Sequence, residues 1–479
     1  MEGAKTLLGH LNQAGYEAFI VGGAVRDVLM HRKPHDIDIV TSARPDDVIQ
    51  VMTDAGAKTS GLVGKSFGVV VVQFQGKSYE VATYRSETYG ADSHRPESIT
   101  YADSLEDDVK RRDFTVNGMA MDKEGRIIDL VGGQRDLKKK RLVTIGDPVE
   151  RFREDALRLF RACRFVAKLD FLPDKALLEA MPKAFDRVSG LSLERVRQEL
   201  DRMLLEPAVA KGLDVFVQSG LCSCQCQVNE NGQLRQVDIL PEVAHLVYLP
   251  QEKQFHEFDG WYHTLAAVAH TPADLTLRWG ALLHDVGKGM PGIRGCHNGR
   301  ITDRGHDQLG AKMALEALLR LGYSQKFAQR VAWIVESHMR FHFFAQHDEA
   351  NAKKWLRQEV HSGQYRSTAE LQEAFSQLTQ VCAADILACG KPYASTEVND
   401  AFGQYMVDVA ESMPVNSKDL HYDKRLIDLM GADAKVYMPY LLEQVVAGRV
   451  ANEPEALLSS LKRKLERNQR VVGEKNEVR

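Results

Sequence analysis

One stretch of twenty residues, 21–40, constrains the fold more than any other part of this chain, and its sequence is VGGAVRDVLMHRKPHDIDIV. The apolar run at 19–21 predicts a short buried strand, and Gly22 and Gly23 predict a tight turn after it. Residues 24–31 then have the pattern of a helix, and residues 36–40 that of a second strand. This order of elements predicts a phosphate-binding turn followed by a pair of carboxylates.

Each half of this stretch has a chemical interpretation. Gly22 and Gly23 let the backbone approach an anion at the start of the next helix, where N–H groups favour phosphate, and Arg26 adds a cation. Asp36 and Asp38 are two residues apart on the predicted strand, so both carboxylates project from one face. Two adjacent carboxylates repel each other unless a divalent cation lies between them, and oxygen ligands suit Mg²⁺.

Either motif alone has a simpler explanation. A Gly-Gly pair is usually just a turn, and an Asp-x-Asp sequence is usually a solvated loop. Here the two motifs occur in order and are separated by one helix. Together they resemble the signature of the polymerase-β-like nucleotidyltransferases.

Composition limits the architecture and the partners. A chain of 479 residues is too long for one ordinary core, so we expect two to four domains. The net charge of -4 means that a nucleic acid would have to be bound by a local basic surface. Seven cysteines without a disulfide pattern or signal peptide predict a cytoplasmic protein. No apolar run approaches the roughly 20 residues of a membrane helix, so we expect no membrane partner.

The segment after the carboxylates predicts more of the same sheet. Residues 67–74 and 78–84 alternate like strands and are joined by a turn at 75–77, which predicts a hairpin. Glu80 lies on the second strand, either as a third carboxylate for the metal site or as an exposed residue. Residues 88–108 are polar without clear periodicity, which predicts a flexible loop over the site.

Two later segments carry polar residues suited to nucleotide binding. In RRDFTVNGMAMD, residues 111–122, Asp113 and Asn117 can accept from and donate to a sugar hydroxyl, or can equally cap a local helix. From Arg153 the pattern becomes helical, and Asp155 and Arg158 are three residues apart, so they share a helix face. Such a pair is most often a surface ion pair. As a functional pair, an Arg donor beside an Asp acceptor complements the base edge of cytosine and adenine and rejects uracil and guanine.

Five motifs occur here in the order seen in the bacterial class II tRNA nucleotidyltransferase and poly(A) polymerase family, and the resemblance covers about the first 205 residues. The motifs are GGAVRD with DID, RRDFTVNGMAMD, DLVGGQRD, REDALRLFRACRF and LSLERVRQEL. The resemblance implies an α+β fold, with a polymerase-β-like head that contains a five-stranded mixed sheet, followed by all-helical domains. The expected divisions are a head at 1–145, a base-recognising neck at 146–205, a body or insert at 206–255, an HD domain at 256–390 and an RNA-binding tail at 391–479.

The family resemblance also implies a role for each matching residue. Asp36 and Asp38 would be catalytic and bind Mg²⁺. The remaining residues would bind the nucleotide: Gly22, Gly23 and Arg26 its triphosphate, Asp113 and Asn117 its ribose, and Glu154, Asp155 and Arg158 its base. Glu194, Arg195 and Arg197 would brace the residues that read the base.

Histidines and aspartates in the second half resemble the metal ligands of an HD-superfamily phosphohydrolase. A single histidine in an apolar segment is most often an ordinary core residue, but this region has several. The matching ligands of one metal are His263, His284, Asp285 and Asp385. His306 and His338 match the extra ligands of two-metal relatives, and His256 and Lys288 lie nearby in the sequence. Mixed imidazole and carboxylate ligands favour Mn, Ni, Fe or Zn over Mg.

Two further segments have weaker signals. Cys222, Cys224 and Cys226 alternate without an obvious fourth ligand, so we favour a loop insert over a soft-metal site. The segment 456–470 combines a leucine stripe with several basic residues, which fits a solvated helix face and RNA contact equally.

The expected function is template-independent addition of C, C and A from CTP and ATP to the 3′ end of tRNA, with release of pyrophosphate and with HD-domain phosphohydrolase activity as a possible addition. A poly(A) polymerase, or a partial CC-adding or A-adding enzyme, shares every head motif. An HD phosphodiesterase whose head only binds RNA is a weaker alternative, because the carboxylate pair is intact. The sequence gives no indication of oligomeric state.

Overall fold

A computed structural model describes residues 1–60, 68–89, 96–347, 349–390 and 395–477. The chain divides into two compact units, Met1–His245 with Arg320–Gly322 and Leu246–Leu319 with Tyr323–Arg479. Among the described helices, none is long and apolar enough to cross a membrane. The predicted α+β class is confirmed, because sheet and helices alternate in the first half and helices dominate the second. The finer division into five domains stays a prediction.

A mixed sheet forms the centre of the first unit. Its first nine strands in chain order are β1 (Ala18–Val21), β2 (Asp38–Thr41), β3 (Lys58–Ser60), β4 (Val69–Phe74), β5 (Lys77–Thr83), β6 (Arg85–Tyr89), β7 (Pro96–Tyr101), β8 (Met119–Met121) and β9 (Ile127–Asp129). Seven of them form one sheet in the order β3-β4-β5-β2-β1-β8-β9, and β6 pairs with β7 separately. Among the described strands of this seven-stranded sheet, β2 and β5 alone pair in parallel, which brings Asp38 opposite Glu80.

Helices and buried side chains cover both faces of this sheet. The helices are α1 (Glu2–Gln13), α2 (Gly23–Leu29), α3 (Pro45–Asp54), α4 (Leu105–Lys110) and α5 (Gly133–Lys138). Ile20 and Ile39 belong to a core cluster on one face, whereas their neighbours Val21 and Val40 belong to a cluster on the other. This alternation follows from the two-residue period of a strand, and it fixes the side to which Asp38 points.

Two expectations for the head are wrong and one is confirmed. In the part of the head that the structure describes, the sheet has seven strands, not five, because the short edge strands β3 and β9 extend it. Within 88–108, where we expected a loop, β7 and α4 form; Ser104 caps α4 by accepting from the Asp107 N–H, and Leu105 and Val109 are buried. Residues 90–95 of that segment lie outside the described residues. The predicted hairpin is present as β4 and β5.

The rest of the first unit is mainly helical. Its elements are β10 (Arg141–Leu142), α6 (Pro148–Glu154), α7 (Leu157–Leu169), β11 (Leu172–Pro173), α8 (Lys175–Ala180), α9 (Leu193–Leu204), α10 (Val209–Gln218), β12 (Gln225–Glu230) and β13 (Gln233–Asp238). The helix expected to run through Arg153 is interrupted, because Asp155 has an extended backbone. The predicted loop insert at Cys222–Cys226 is also wrong, since Cys226 lies in the antiparallel pair β12 and β13.

The second unit is a helical assembly with one small hairpin. Its elements are α11 (Gly260–His270), α12 (Leu275–Leu283), β14 (Arg294–His297), β15 (Arg300–Asp303), α13 (His306–Arg320), α14 (Gln325–His347), α15 (Glu349–His361), α16 (Thr368–Ala388), α17 (Glu397–Glu411), α18 (Lys424–Met430), α19 (Ala434–Val446) and α20 (Pro454–Glu477). Trp333, Trp355 and Phe375 pack edge to face in its larger core. Leu441, Leu457 and other residues form a separate core near the end of the chain.

Candidate active sites

A polar cavity of about 410 Å³ lies within the first unit and brings together residues that are far apart in the sequence. Its lining residues are Gly22, Gly23, Arg26, Asp38, Arg85, Arg111, Arg112, Asp113, Asn117, Asp155, Arg158, Arg161, Phe165 and Lys168. Seven of these side chains are basic and three are acidic. Such an excess of positive charge in a cleft favours a polyanionic ligand.

Gly22 lines the cavity beside the carboxylate of Asp38. Its φ is +71°, a conformation that favours glycine, and it immediately precedes α2. A Cβ atom at this position would lie 3.4 Å from Arg112 Nη1 and 3.9 Å from Asp38 Oδ2. Any side chain here would therefore fill the space between a cation and a carboxylate, and the glycine keeps that space open.

The carboxylates are arranged differently from the expectation. The strand begins at Asp38, so Asp36 lies in the segment before it, is exposed and does not line the cavity. Burial raises the pKa of Asp38, Glu80 raises it further, Arg112 opposes the rise and Asp36 adds to it. A divalent cation would relieve this crowding of negative charge, so the residues present fit a metal ion.

Four side chains form a hydrogen-bonded row along the cavity. Arg26 Nη1 donates to Asn117 Oδ1 at 2.6 Å, and Asn117 Nδ2 donates to Asp113 Oδ1 at 3.1 Å. Arg161 donates to Asp113 Oδ2 from Nε at 2.9 Å and from Nη2 at 2.5 Å. Burial alone would raise the pKa of Asp113, but Arg161 and the hydrogen bonds lower it to about 2. Asp113 is therefore an ionised carboxylate that the row holds in place.

Arg161 was not identified as a site residue from the sequence, although it follows Arg158 by three residues on α7 and so lies on the same helix face.

Asp108 was also not identified from the sequence. Its fully buried carboxylate accepts from Arg111 at 2.7 Å and from Arg112 at 2.9 Å. Burial would raise the pKa of Asp108, but the two guanidinium groups lower it. Asp108 thus orients the two arginines that line the cavity.

The predicted base-reading pair lines the cavity, but not as one face of one helix. Asp155 lies in the break between α6 and α7, and Arg158 lies in the first turn of α7. Arg158 Nη1 donates to Glu154 Oε2 at 2.7 Å, and Nη2 donates to the Arg111 carbonyl at 2.8 Å. Burial raises the pKa of Asp155, while Arg195 and Arg158 oppose the rise. Glu154 therefore orients Arg158 and does not line the cavity itself.

Among the predicted bracing residues, Arg195 acts on Asp155 through its charge. A direct side-chain link between α7 and α9 is made by another pair, in which Arg164 Nε donates to Glu199 Oε2 at 2.6 Å. Both side chains are buried. Because α7 carries Arg158 and Arg161, this pair fixes the helix that supplies the cavity's cations.

A second cavity, of about 670 Å³, lies within the second unit. The lining residues are Gln251, Glu252, Phe255, His256, Asp285, Lys288, Ile301, Asp303, Arg304, Gly305, His306, Asp307, His338, Met339, His342, Asp385, Ile386 and Cys389. The six predicted ligands come from four helices and from the residues that follow α12. All six lie in two adjoining groups.

Asp285 joins the two groups. In the first group, His263 Nε2 lies 3.2 Å from His284 Nε2 and 3.0 Å from Asp385 Oδ1, and Asp285 Oδ2 lies 3.3 Å from His284 Nε2. In the second group, His306 Nε2 lies 3.3 Å from both His338 Nε2 and Asp285 Oδ1. The six residues named from the sequence thus lie together, and the Asp285 carboxylate places one oxygen beside each group. Their role as metal ligands stays a prediction.

The ring orientations fit metal binding. The Nδ1 atoms of His284, His306 and His338 lie 2.7, 2.7 and 2.6 Å from backbone carbonyl oxygens. A ring that donates from Nδ1 presents a lone pair at Nε2, and two such lone pairs facing each other repel unless a cation lies between them. His306 and His338 face each other in this way at 3.3 Å.

Electrostatics around the cluster favours positive charge. Burial opposes protonation of His284, but Asp285 and Asp385 raise its pKa to about 10, so a proton or a metal ion is favoured at Nε2. Burial and the neighbouring imidazoles hold the pKa of His338 well below its ordinary value. Lys288 Nζ lies 2.6 Å from Asp285, and His342 Nε2 lies 2.9 Å from Asp385.

His342 was missed in the sequence, and so was a third group beside the cluster. It contains His256, His263 and Cys389, and His256 Nδ1 lies 3.8 Å from Cys389 Sγ. All three groups of this kind found among the described residues lie in the second unit. The close packing of histidine, cysteine and carboxylate ligands is therefore a property of this cavity.

Comparison with known families agrees with this division into two cavities. Residues 18–143 match the poly A polymerase head domain, and residues 170–223 match the probable RNA and SrmB-binding site of polymerase A. These two matches lie in the first half of the chain, which is therefore similar to the poly A polymerase head and to its probable RNA-binding region. Residues 262–374 match the HD domain, so the predicted combination of a nucleotidyltransferase head with an HD domain is confirmed.

Individual relatives of the nucleotidyltransferase half are named CCA-adding enzymes. That of Bacillus velezensis is 42% identical over 218 residues, which cover 46% of this chain and 54% of the relative. That of Geobacillus sp. (strain WCH70) is 44% identical over 211 residues, which cover 44% and 51%. The chain thus spans about half the length of the curated relatives it matches.

Solved structures extend the similarity to the whole chain. The crystal structure of the Bacillus stearothermophilus CCA-adding enzyme in complex with CTP aligns with 99% of this chain and 98% of that chain, with a TM-score of 0.65 and 27% identity. A CCA-adding enzyme in complex with ATP aligns with a TM-score of 0.57 and 17% identity, over 96% of this chain and 94% of that chain, and shares the fold.

Proposed function

We propose that this nucleotidyltransferase adds C, C and A from CTP and ATP to the 3′ end of tRNA and releases pyrophosphate. The observation that carries the proposal is the single cavity of the first unit. It combines Asp38 and a set of arginines, suited to a triphosphate, with Asp155 and Arg158, suited to a base edge. Relatives named CCA-adding enzymes, one of them solved with CTP, support this choice. Because its proposed substrate is tRNA, we also propose that the protein acts in the cytoplasm.

The triphosphate would lie among the arginines of the cavity. Arg111 and Arg112 are held by the buried Asp108, so their positive charges are positioned before the substrate arrives. Gly22 leaves room between Arg112 and Asp38 for a phosphate oxygen. Arg26 already donates to Asp27 and Asn117, so it would position the row of side chains and contribute charge.

Asp36 and Asp38 would hold Mg²⁺, which when bound would neutralise phosphate charge and make the tRNA 3′-hydroxyl more acidic. The 3′-hydroxyl releases its proton to solvent, and its oxygen forms a bond to the α-phosphorus in line with the leaving group. The bond from that phosphorus to the oxygen that bridges to the β-phosphate breaks, and pyrophosphate departs. The chain's own contribution is to bind and orient the reacting groups.

Base choice would depend on Arg158 and Asp155. Arg158 would donate to the ring nitrogen of cytosine or adenine, and Asp155 would accept from the exocyclic amino group. Glu154 would orient Arg158 through the bond at 2.7 Å. Asp113 and Asn117 would lie beside the ribose, held there by Arg161 and Arg26.

A tRNA substrate also offers a long phosphate backbone, and we infer that α20 is a basic surface that contacts it. Lys462, Arg463, Lys464 and Arg467 follow one another at short intervals on this helix, and Lys464 also lies over the Tyr440 ring at 5.2 Å. Contacts of this kind with phosphates weaken as salt concentration rises.

The proposal is tested with tRNAs that lack one, two or three of the terminal nucleotides C74, C75 and A76. Each is incubated with each NTP alone and with all four together. We expect C, C and A to be added in order, and addition to stop after A76. Continued addition of A to any RNA would instead identify a poly(A) polymerase, and failure at one position would identify a partial CC-adding or A-adding enzyme.

For the second unit, we infer a phosphohydrolase activity that uses a transition metal. The supporting observation is the pair of ligand groups that share Asp285. Imidazole and carboxylate ligands together suit Mn, Ni, Fe or Zn, and such a metal, when bound, would supply an activated water and charge neutralisation. A phosphorylated or cyclic-phosphate RNA end is the proposed substrate, because its hydrolysis exposes a hydroxyl for extension.

This second activity is tested by elemental analysis of the purified chain and by hydrolysis of a 2′,3′-cyclic nucleotide with Mn, Ni or Co added. We expect bound transition metal and hydrolysis. A chain without transition metal and without hydrolysis in all three metals would contradict the inference.

A further inference from the structure

The cavity of the second unit contains exposed apolar side chains directly beside its metal-ligand residues. Phe255 precedes His256, Met339 follows His338, and all four line the cavity. Phe255 is 54% exposed and Met339 is 43% exposed. A site that bound only inorganic phosphate or a small sugar phosphate would have no use for a large apolar surface at this place. A nucleobase does, because every base has a flat face that stacks on aromatic side chains.

A cation also lies in this cavity apart from the ligand cluster. Arg304 is exposed, lines the cavity and precedes His306 by two residues. Within the described part of the chain, no carboxylate lies within ion-pair distance of Arg304. The neighbouring Asp303 is instead engaged by Arg294 at 2.8 Å and by the Gly289 N–H at 2.8 Å. The backbone beside Arg304 is therefore anchored while its side chain is available for an anion.

We propose that this cavity binds the 3′-terminal nucleotide of an oligonucleotide. Phe255 and Met339 contact the terminal base, Arg304 pairs with the phosphodiester on the 5′ side of that nucleotide, and the terminal phosphate lies at the ligand cluster. The cavity volume of about 670 Å³ is within the range of sites that bury a nucleotide-sized ligand. This inference rests on the phosphohydrolase function proposed above and names its substrate class and specificity-determining residues.

The reaction on a 2′,3′-cyclic phosphate end is a balanced hydrolysis. The oxygen of water forms a bond to phosphorus, and one of the two bonds from phosphorus to the sugar oxygens breaks. One proton of the water goes to the released sugar oxygen, and the other stays with the phosphate monoester or passes to solvent. No oxidant or further reactant is needed.

Three substrates separate the parts of the proposal when the full chain is loaded with Mn²⁺. Glycerol 1,2-cyclic phosphate has no base, a nucleoside 2′,3′-cyclic phosphate adds one, and a dinucleotide ending in 2′,3′-cyclic phosphate adds the phosphodiester. We expect kcat/KM to rise by about 10- to 100-fold with the base, as stacking on one aromatic residue allows. We expect a further rise of about 3- to 10-fold with the phosphodiester, which added salt diminishes.

Two variants assign these increases to residues. Phe255→Ala should reduce the ratio of nucleoside to glycerol substrate toward one, and Arg304→Ala should reduce only the ratio of dinucleotide to nucleoside. The matched control for Phe255 is Phe343→Ala, which removes an exposed aromatic side chain on α14. The matched control for Arg304 is Arg300→Ala, which removes an exposed arginine on β15, the strand that ends just before Arg304. Neither control residue lines the cavity. Both controls should keep the two ratios of the unaltered chain.

The outcomes distinguish this inference from the function on which it rests. Equal kcat/KM for all three substrates would overturn the base and phosphodiester contacts while the phosphohydrolase function stands. Unchanged ratios in both variants would overturn the assignment to Phe255 and Arg304. Hydrolysis of none of the three, in Mn, Ni or Co, would overturn the phosphohydrolase function and this inference together.

Discussion

The two cavities have opposite charge patterns, although we propose that both bind phosphate groups. The cavity of the first unit has seven basic and three acidic lining residues. In the cavity of the second unit, Lys288 and Arg304 are outnumbered by five carboxylates, and four histidines line it as well. Fixed guanidinium groups attract a polyanion directly, whereas a cluster of carboxylates and imidazoles attracts one only after binding a cation. A phosphate site can therefore be recognised either by its cations or by its metal ligands.

The difference also separates the metals that the two sites would use. Asp36 and Asp38 offer only oxygen ligands, which favour Mg²⁺, and they would share it with the substrate's phosphates. His263, His284 and the other imidazoles favour a transition metal. If this comparison is right, each site can be inactivated without affecting the other, and the predictions below test that independence.

The largest expected effect is that of Asp38→Asn on nucleotide addition. Because it removes a carboxylate from the reacting end of the cavity, kcat/KM for CTP and ATP should fall on the order of 10⁴-fold, as for other single members of catalytic groups. Binding of tRNA, measured by filter retention, and hydrolysis by the HD domain should be nearly unchanged. Asp54→Asn, an exposed carboxamide substitution on α3, is the matched control. Full addition by Asp38→Asn with Mg²⁺ would refute the metal assignment.

The reciprocal variant is Asp285→Ala. Since Asp285 supplies an oxygen to both ligand groups, its loss should release bound transition metal and lower hydrolysis by on the order of 10²-fold or more. Addition of CTP and ATP should persist. Elemental analysis and both activity assays check this, with Glu316→Ala on α13 as the surface control. Parallel loss of both activities would show that the two sites are coupled.

A smaller and more selective effect is expected for Arg158→Ala. It removes the proposed donor to the ring nitrogen, so UTP and GTP should gain about 10-fold relative to CTP and ATP while the overall rate falls. Competition between nucleotides on one tRNA measures this ratio. Arg153→Ala, which removes an exposed arginine paired with Asp186, is the control. An equal fall of kcat/KM for all four nucleotides would make Arg158 a structural residue only.

Among the three variants in the first cavity, Asp113→Asn should have the smallest effect on nucleotide addition. It should also measurably lower the stability of the fold. The change leaves Arg161 without its anionic partner in a largely buried position, which should cost about 3 kcal/mol in the free energy of unfolding. Urea unfolding followed by circular dichroism measures this, with the exposed Asp103→Asn as the control.

The pKa of Asp113 gives the same prediction a pH dependence. The folded value of about 2 lies below the ordinary value of 3.8, so the ionised carboxylate stabilises the fold above about pH 4. That contribution is lost as pH falls from about 4 toward 2. The variant should lack this part of the acid dependence, and an unchanged acid transition would contradict the role of the row.

The sequence predicted those parts of the molecule that have a local signal. The strand alternation around residues 75–77 correctly predicted the hairpin, and each residue predicted to be an HD ligand lies in its own recognisable segment and in the same cluster. The break at Asp155 had no such signal, because the surrounding residues have the composition of a continuous helix. Just after this break, Arg158 donates to the carbonyl of Arg111, and these two residues are 47 positions apart in the sequence.

Partners that are distant in sequence were missed for the same reason. Arg161 binds Asp113 across 48 residues, and His342 binds Asp385 across 43. Periodicity describes only neighbours on one element, and such pairs depend on how elements pack. The predicted roles of the site residues themselves remain predictions that the variants above test.

The row from Arg26 to Arg161 bears on how the protein is made. The bonds from Arg161 to Asp113 join residues 48 positions apart, so the row is complete only after α7 has left the ribosome. A nascent chain that ends within β9 would already contain the glycine turn and both carboxylates, yet Asp113 would lack its ion-pair partner Arg161. Such long-range contacts form late and slowly. The newly synthesised head should therefore acquire its capacity to bind nucleotide only when α7, the helix that carries Arg158 and Arg161, has been translated.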